Sequence, residues 1–106
     1  MLEKDIEKAF GRALGAWAVK HGHKVGYVKF ASPGERGWPD RLVLFYGRTI
    51  WIEWKKPGGQ ATAYQEHIHA ELRAMGHDVR VYDDWRAALD EITKDIYVES
   101  GHGLDN

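Results

Sequence analysis

Apolar residues recur every three or four positions near the start of the chain. Ile6, Phe10, Ala13, Leu14 and Trp17 share one side of residues 2–21, which predicts an amphipathic helix ended by Gly22. The pattern then shortens: residues 25–30 read as a strand, and the Pro- and Gly-containing run 31–37 reads as a loop. Residues 41–46 and 49–55 are two β-rich runs around Gly47-Arg48, a two-residue hairpin signal. Pro57-Gly58-Gly59 breaks the sheet. Thr62 with Gln65 three residues on is a capping box for a helix carrying Tyr64, Ile68, Leu72 and Met75, with Gly76 at its C-terminal end. Residues 78–82 predict a strand, and Asp83 or Asp84 caps a last helix through about Lys94. The order αβββαβα predicts an α/β domain over 1–95, followed by a tail, 96–106, whose Gly and polar residues suit disorder.

A length of 106 residues fits one compact domain, and 29% charged residues leave no apolar run long enough to cross a bilayer. Residues 1–20 carry both signs of charge and no signal-peptide pattern, so a cytoplasmic protein is expected. The absence of cysteine excludes a disulfide scaffold and a thiolate metal site. A core of this size leans on its thirteen aromatics or on an oligomer interface, and a homodimer is consistent with that. His67 and His69 fall about 200° apart on a helix and cannot share one ion.

The formal charge of −1 conceals a division. Residues 1–56 hold eleven Lys and Arg against six Asp and Glu, a net +5, whereas residues 57–106 hold four against ten, a net −6. Contact with phosphates requires local positive charge rather than a high overall pI, so the basic half keeps nucleic acid among the possible partners. From charge alone, a solvated helix face is the plainer reading of Lys4, Lys8, Arg12, Lys20 and Lys24.

Alternation along the third strand sends Ile50, Ile52 and Trp54 to one face and Trp51, Glu53 and Lys55 to the other. With a Gly47-Arg48 turn, Leu42 lies opposite Glu53 and Asp40 opposite Lys55, which makes Asp40 and Glu53 diagonal neighbours on one face. Two carboxylates that close converge on one divalent ion, and oxygen ligands favour Mg²⁺ or Mn²⁺. A bound metal, an activated water and an adjacent ammonium suit phosphodiester hydrolysis. A cross-strand ion pair and an ordinary strand-start Asp are the plainer readings. The cost of burying Glu53 and Lys55 at the end of an apolar strand favours the chemical one.

Gly37-Trp38-Pro39-Asp40, then Ile52-Glu53-Trp54-Lys55, then Gly58-Gly59 and Gln65, resemble the PD-(D/E)xK nuclease superfamily and, within it, the virus-type replication-repair nuclease (VRR-NUC) domain. The resemblance runs from Leu2-Glu3 through Lys29-Phe30 and Ser32-Pro33-Gly34 to Leu72, Gly76 and Val81. It implies a restriction-endonuclease-like core, a mixed sheet flanked by helices, with Asp40 and Glu53 binding Mg²⁺, Lys55 assisting the attacking water and the Trp54 carbonyl as a further ligand. A helix-one acid is implied as well. Glu3 lies nearer the apolar direction of the helix than Glu7, and both remain candidates. Gln65 is placed beside the active site by the resemblance, although a capping role explains it equally. Lys29, Arg36, Arg41 and Lys56 are the expected phosphate contacts, and Trp38 either packs the loop or stacks on a base. The resemblance implies an endonuclease acting on branched DNA such as four-way (Holliday) junctions or flaps, working as a homodimer in a bacterial or phage-infected cell, without a membrane or a small-molecule cofactor. A catalytically inactive binding module of the same fold, and a nuclease acting on RNA or single strands, are the alternatives.

Overall fold

The computed structural model describes residues 1–31 and 34–101, so Ser32, Pro33 and the last residues of the expected tail lie outside the described part. The chain runs α1 (Glu3–His21), β1 (Gly26–Lys29), β2 (Arg41–Phe45), β3 (Arg48–Trp54), α2 (Ala63–Ala74), β4 (Asp78–Tyr82) and α3 (Trp85–Glu99). This is the expected αβββαβα order. The four strands form one sheet in the order β1-β2-β3-β4, antiparallel across the first three and parallel between β3 and β4. A parallel neighbour requires a crossover, which α2 supplies.

The termini of the helices follow local chemistry. Gly22, at φ 74°, closes α1 in the left-handed conformation. Thr62 and Gln65 exchange both bonds of a capping box at the start of α2, and the Asp84 carboxylate accepts from the amides of Arg86 and Ala87 to cap α3.

One face of the sheet carries the core. Ile6, Phe10 and Leu14 of α1 and Ala88, Ile92 and Ile96 of α3 pack on Val43, Phe45, Ile50, Ile52, Trp54 and Tyr82. Phe10 lies 5.0 Å from the Trp54 ring, whose Nε1 donates to the Tyr27 hydroxyl at 2.9 Å, so the one polar atom of that buried indole is satisfied. The opposite face is covered by α2 only near β4, through Leu72 and Val79, and Val28 and Leu44 remain exposed on it. Among the described residues no helix is long and apolar enough to cross a membrane.

Two elements depart from expectation. The hairpin turn is Tyr46-Gly47, with Phe45 paired to Arg48, rather than Gly47-Arg48. Both turn residues have positive φ, 45° and 76°, as a tight hairpin of this twist demands. Tyr46 tolerates the position while its hydroxyl contacts His23 Nδ1 at 2.8 Å. The last helix continues to Glu99 instead of ending near Lys94. Ile96 is fully buried, and Asp95 and Glu99 pair with Arg48 and Arg80 of the sheet, which holds the final turn down.

Candidate active site

The shift of the turn moves the register by a whole pleat, so every side chain keeps its face but meets a new partner. Arg41 pairs with Ile52, and one step outward sets Asp40 directly across from Glu53 rather than diagonal to it. Asp40 is fixed from three sides. Its carbonyl accepts from the Phe30 amide at 2.8 Å, the preceding Pro39 is buried, and Gly37 brings the loop against α2. A Cβ on Gly37, which sits at φ 84°, would lie 2.8 Å from the Tyr64 ring and 2.9 Å from Ile68. Glycine is required there on both counts.

Glu53 is 6% exposed, and Lys55, two residues on and on the same face, places Nζ 3.7 Å from its Oε2. Burial, and then the Asp40 charge, push the Glu53 carboxyl up to about 7 against the opposing pull of Lys55. The Asp40 carboxyl is also raised, by burial and by Glu7. Asp40 Oδ1 is buried with no hydrogen-bond partner. Two opposed carboxylates, one with an orphaned oxygen, form a donor set suited to a hard cation. Among the described residues no third acidic or histidine side chain completes a preformed cage with them.

The two helix-one acids divide between the carboxylates. Glu3, exposed in the first turn, acts on Glu53 through its charge, whereas Glu7, one turn later, forms an ion pair with Arg41 and acts on Asp40. Arg41 is thereby drawn inward, with its guanidinium 4.9 Å from the centre of the Tyr27 ring. This differs from the expectation of a phosphate contact, because alternation turns Arg41 toward α1. Trp54 likewise points its ring into the core. Gln65 spends Oε1 on the Thr62 amide at 2.9 Å, so capping accounts for it.

Lys29, Arg36 and Lys56 are exposed, and the Lys29 charge reaches Asp40. Trp38 packs against Phe30 and Trp51 at 5.9 and 6.0 Å, and its Nε1 donates to Glu35 at 3.2 Å. One cleft of about 360 Å³ lies between Ile6 and Trp85, and another of about 250 Å³ between Arg36 and Gln65. Neither is lined by Asp40 or Glu53.

His69 escaped the sequence reading as a candidate. It is buried on the apolar side of α2 with Leu72, while His67 faces solvent and pairs with Glu71 at 3.1 Å. The signal available was its position, three residues before Leu72 on the same stripe.

The arrangement defines a small α/β domain of the nuclease-like class, with two acids and a lysine gathered at one end of a mixed sheet. No family model matches the chain. A solved structure described as a VRR_NUC domain superposes with a TM-score of 0.70 at 21% identity, covering 87% of this chain and 94% of that one. A protein of Acyrthosiphon pisum secondary endosymbiont phage 1, named "Putative nuclease p44", is 50% identical over 68 residues, spanning 61% of this chain and 73% of that protein. The chain belongs to the family of that phage protein, and its fold is that of the VRR-NUC domain.

Proposed function

We propose that the protein is a divalent-cation-dependent endonuclease of the PD-(D/E)xK type that hydrolyses phosphodiester bonds in DNA. The observation that carries this reading is the buried, unpartnered Asp40 Oδ1 across from Glu53, whose Oε2 lies 3.7 Å from Lys55 Nζ. A structural ion pair would have satisfied that oxygen, whereas a cation site leaves it available.

Asp40, Glu53 and the Trp54 carbonyl would hold Mg²⁺, with Mn²⁺ as a substitute. When bound, the ion lowers the pKa of a water and offsets charge on the phosphoryl oxygens. Glu53 must first surrender its proton, and Asp40 beside it holds the paired negative charge. The Lys55 ammonium orients the attacking water and stabilises negative charge in the transition state. Lys29, Arg36 and Lys56 position the flanking phosphates, which fixes the backbone without reading sequence. Glu3, exposed and felt by Glu53, is the better placed of the two helix-one acids, since Glu7 is committed to Arg41.

The family resemblance supports branched DNA, four-way junctions or flaps, as substrate. A homodimer would set two such sites across a symmetric junction. The phage origin of the 50%-identical relative supports a role in an infected cell.

The test is cleavage of labelled four-way junction, flap, linear duplex, single-stranded DNA and RNA with Mg²⁺ or Mn²⁺, against EDTA. Metal-dependent cutting of DNA that is lost in Asp40→Ala and Glu53→Ala is expected, with Lys55→Ala reducing turnover more than binding. Full activity of the Glu53 variant would sink the mechanism, and binding without cutting would favour the inactive module. Calorimetry should show divalent-ion binding that weakens when either carboxylate is removed.

A further inference from the structure

The cleft of about 360 Å³ lies at the same end of the sheet as the acids. Its walls include Ile6 of α1, Pro57 on the loop leaving β3, and Asp83, Asp84, Trp85 and Arg86 where β4 gives way to α3. Two hydrogen bonds tie it to the candidate active site. The Lys55 amide donates to the Tyr82 carbonyl at 2.8 Å, and the Gly58 amide donates to the Asp83 carboxylate at 2.9 Å, so the chain leaving the site and the chain entering α3 run side by side. Pro57 follows Lys55 by two residues, at most about 7 Å of extended chain. One strand of DNA advances about 3.4 Å per phosphate, so that distance spans about two nucleotides.

The walls select the occupant. Ile6, Pro57 and Trp85 offer apolar surface, and the exposed Arg86 holds its guanidinium 4.4 Å from the centre of the half-buried Trp85 ring. A planar cation backed by an indole is a stacking surface for a nucleobase of any identity. Asp83 and Asp84 repel a phosphate from the same cleft, so an uncharged base fits it and the DNA backbone does not. The volume is near the low end of the about 300–1,000 Å³ of small-ligand pockets, which suits one base rather than a length of strand. A base inside a duplex is stacked on both faces and paired, and must first be extracted. A base in a flap or at a branch point is already free.

We infer that this cleft seats one unpaired base of the DNA strand whose phosphate lies at Asp40 and Glu53, with Trp85 and Arg86 as its stacking surface. This rests on the nuclease reading above and deepens it, because an unpaired nucleotide beside the scissile phosphate becomes part of what the protein recognises. Stacking requires no contact with a base edge. Trp85 and Arg86 therefore favour flaps and branch points over continuous duplex without reading sequence.

The test is binding in EDTA at low salt, where no cutting is needed. Fluorescence anisotropy gives the Kd of labelled duplexes carrying a three-nucleotide flap of either polarity, with the flap bases intact or replaced by abasic tetrahydrofuran residues. Wild type is expected to bind at least one intact flap about 10-fold or more tightly than its abasic counterpart. Arg86→Ala and Trp85→Leu should lose that preference while keeping wild-type affinity for the abasic flap, and Trp85→Phe, which keeps a ring, should retain most of it. Arg86 is exposed, so its variant remains informative if a change at Trp85 disturbs packing. Equal affinity of the wild type for intact and abasic flaps of both polarities overturns the inference. A preference that survives in both Arg86→Ala and Trp85→Leu also overturns it, since the base then stacks elsewhere. An equal loss on intact and abasic flaps in Arg86→Ala does the same, because it marks the arginine as a phosphate contact. A base preference that depends on Trp85 and Arg86, without cleavage in Mg²⁺ or Mn²⁺, counts against the nuclease reading and supports the cleft as a base site. Cleavage by a wild type with no base preference does the reverse.

Discussion

At the scale of single residues, the carboxyl of Glu53 sets the largest expectation. Its folded value of about 7 lies above the ordinary 4.5, chiefly because burial disfavours the charge. The folded state therefore holds a proton that the unfolded chain has released between those values, and stability falls as pH rises through that window. The effect is on the order of 3 kcal/mol when shared by the coupled Asp40–Glu53 pair. Without metal, Glu53→Gln should gain thermal stability over wild type at pH 8 and show little gain at pH 5, measured by calorimetric unfolding at both values. Adding Mn²⁺ at pH 8 should restore the wild type and leave the variant unmoved, since only a site that binds the native state adds stability. The grouping of Asp40, Glu53 and Lys55 was legible in the sequence: Glu53 and Lys55 share a face by alternation within one strand, and Asp40 joins them because the register moved by two residues and so kept its parity. The inward turn of Arg41 and the burial of His69 were not, because both depend on which helix lies over a given face of the sheet.

Elements carry those residues to their places. The 34–40 segment reaches Asp40 only by passing α2 at Gly37, where backbone and the Tyr64 and Ile68 side chains leave no room for a methyl group. Gly37→Ala should lower stability by about 1–3 kcal/mol through strain at positive φ, with the overlap adding to it. Cleavage should fall more steeply than unfolding alone explains, because the loop must lift and take Asp40 with it. Parallel measurement of melting temperature and of turnover well below it checks this. Helix ends were readable from Gly22, Thr62, Gln65 and Asp84, where the signal is chemical and local. The hairpin turn was misplaced because tyrosine seldom adopts a left-handed conformation, and only the distant His23 explains its presence. The length of α3 was underestimated for a similar reason. The ion pairs of Asp95 and Glu99 with Arg48 and Arg80 join residues far apart in sequence.

For the molecule as a whole, the near-zero net charge matters less than its division, +5 over residues 1–56 and −6 over the rest. Binding to DNA should weaken steeply with salt, and neutralising a lysine or arginine that meets a phosphate should flatten the slope of log K against log salt by about 0.9. Lys29→Gln, Arg36→Gln and Lys56→Gln are each expected to do so in fluorescence titrations across a salt series. Arg41→Gln is expected to leave the slope unchanged and to lower the melting temperature instead, since its charge is spent on Glu7. The direct opposition of Asp40 and Glu53 also bears on how the chain folds. The β2–β3 hairpin closes through a two-residue turn and has the shortest loop to close, whereas β4 arrives only after the α2 crossover. The two carboxylates therefore meet early, before the surrounding core can compensate them. Acid or a divalent cation would then hasten the nucleation of this fold as well as stabilise its product.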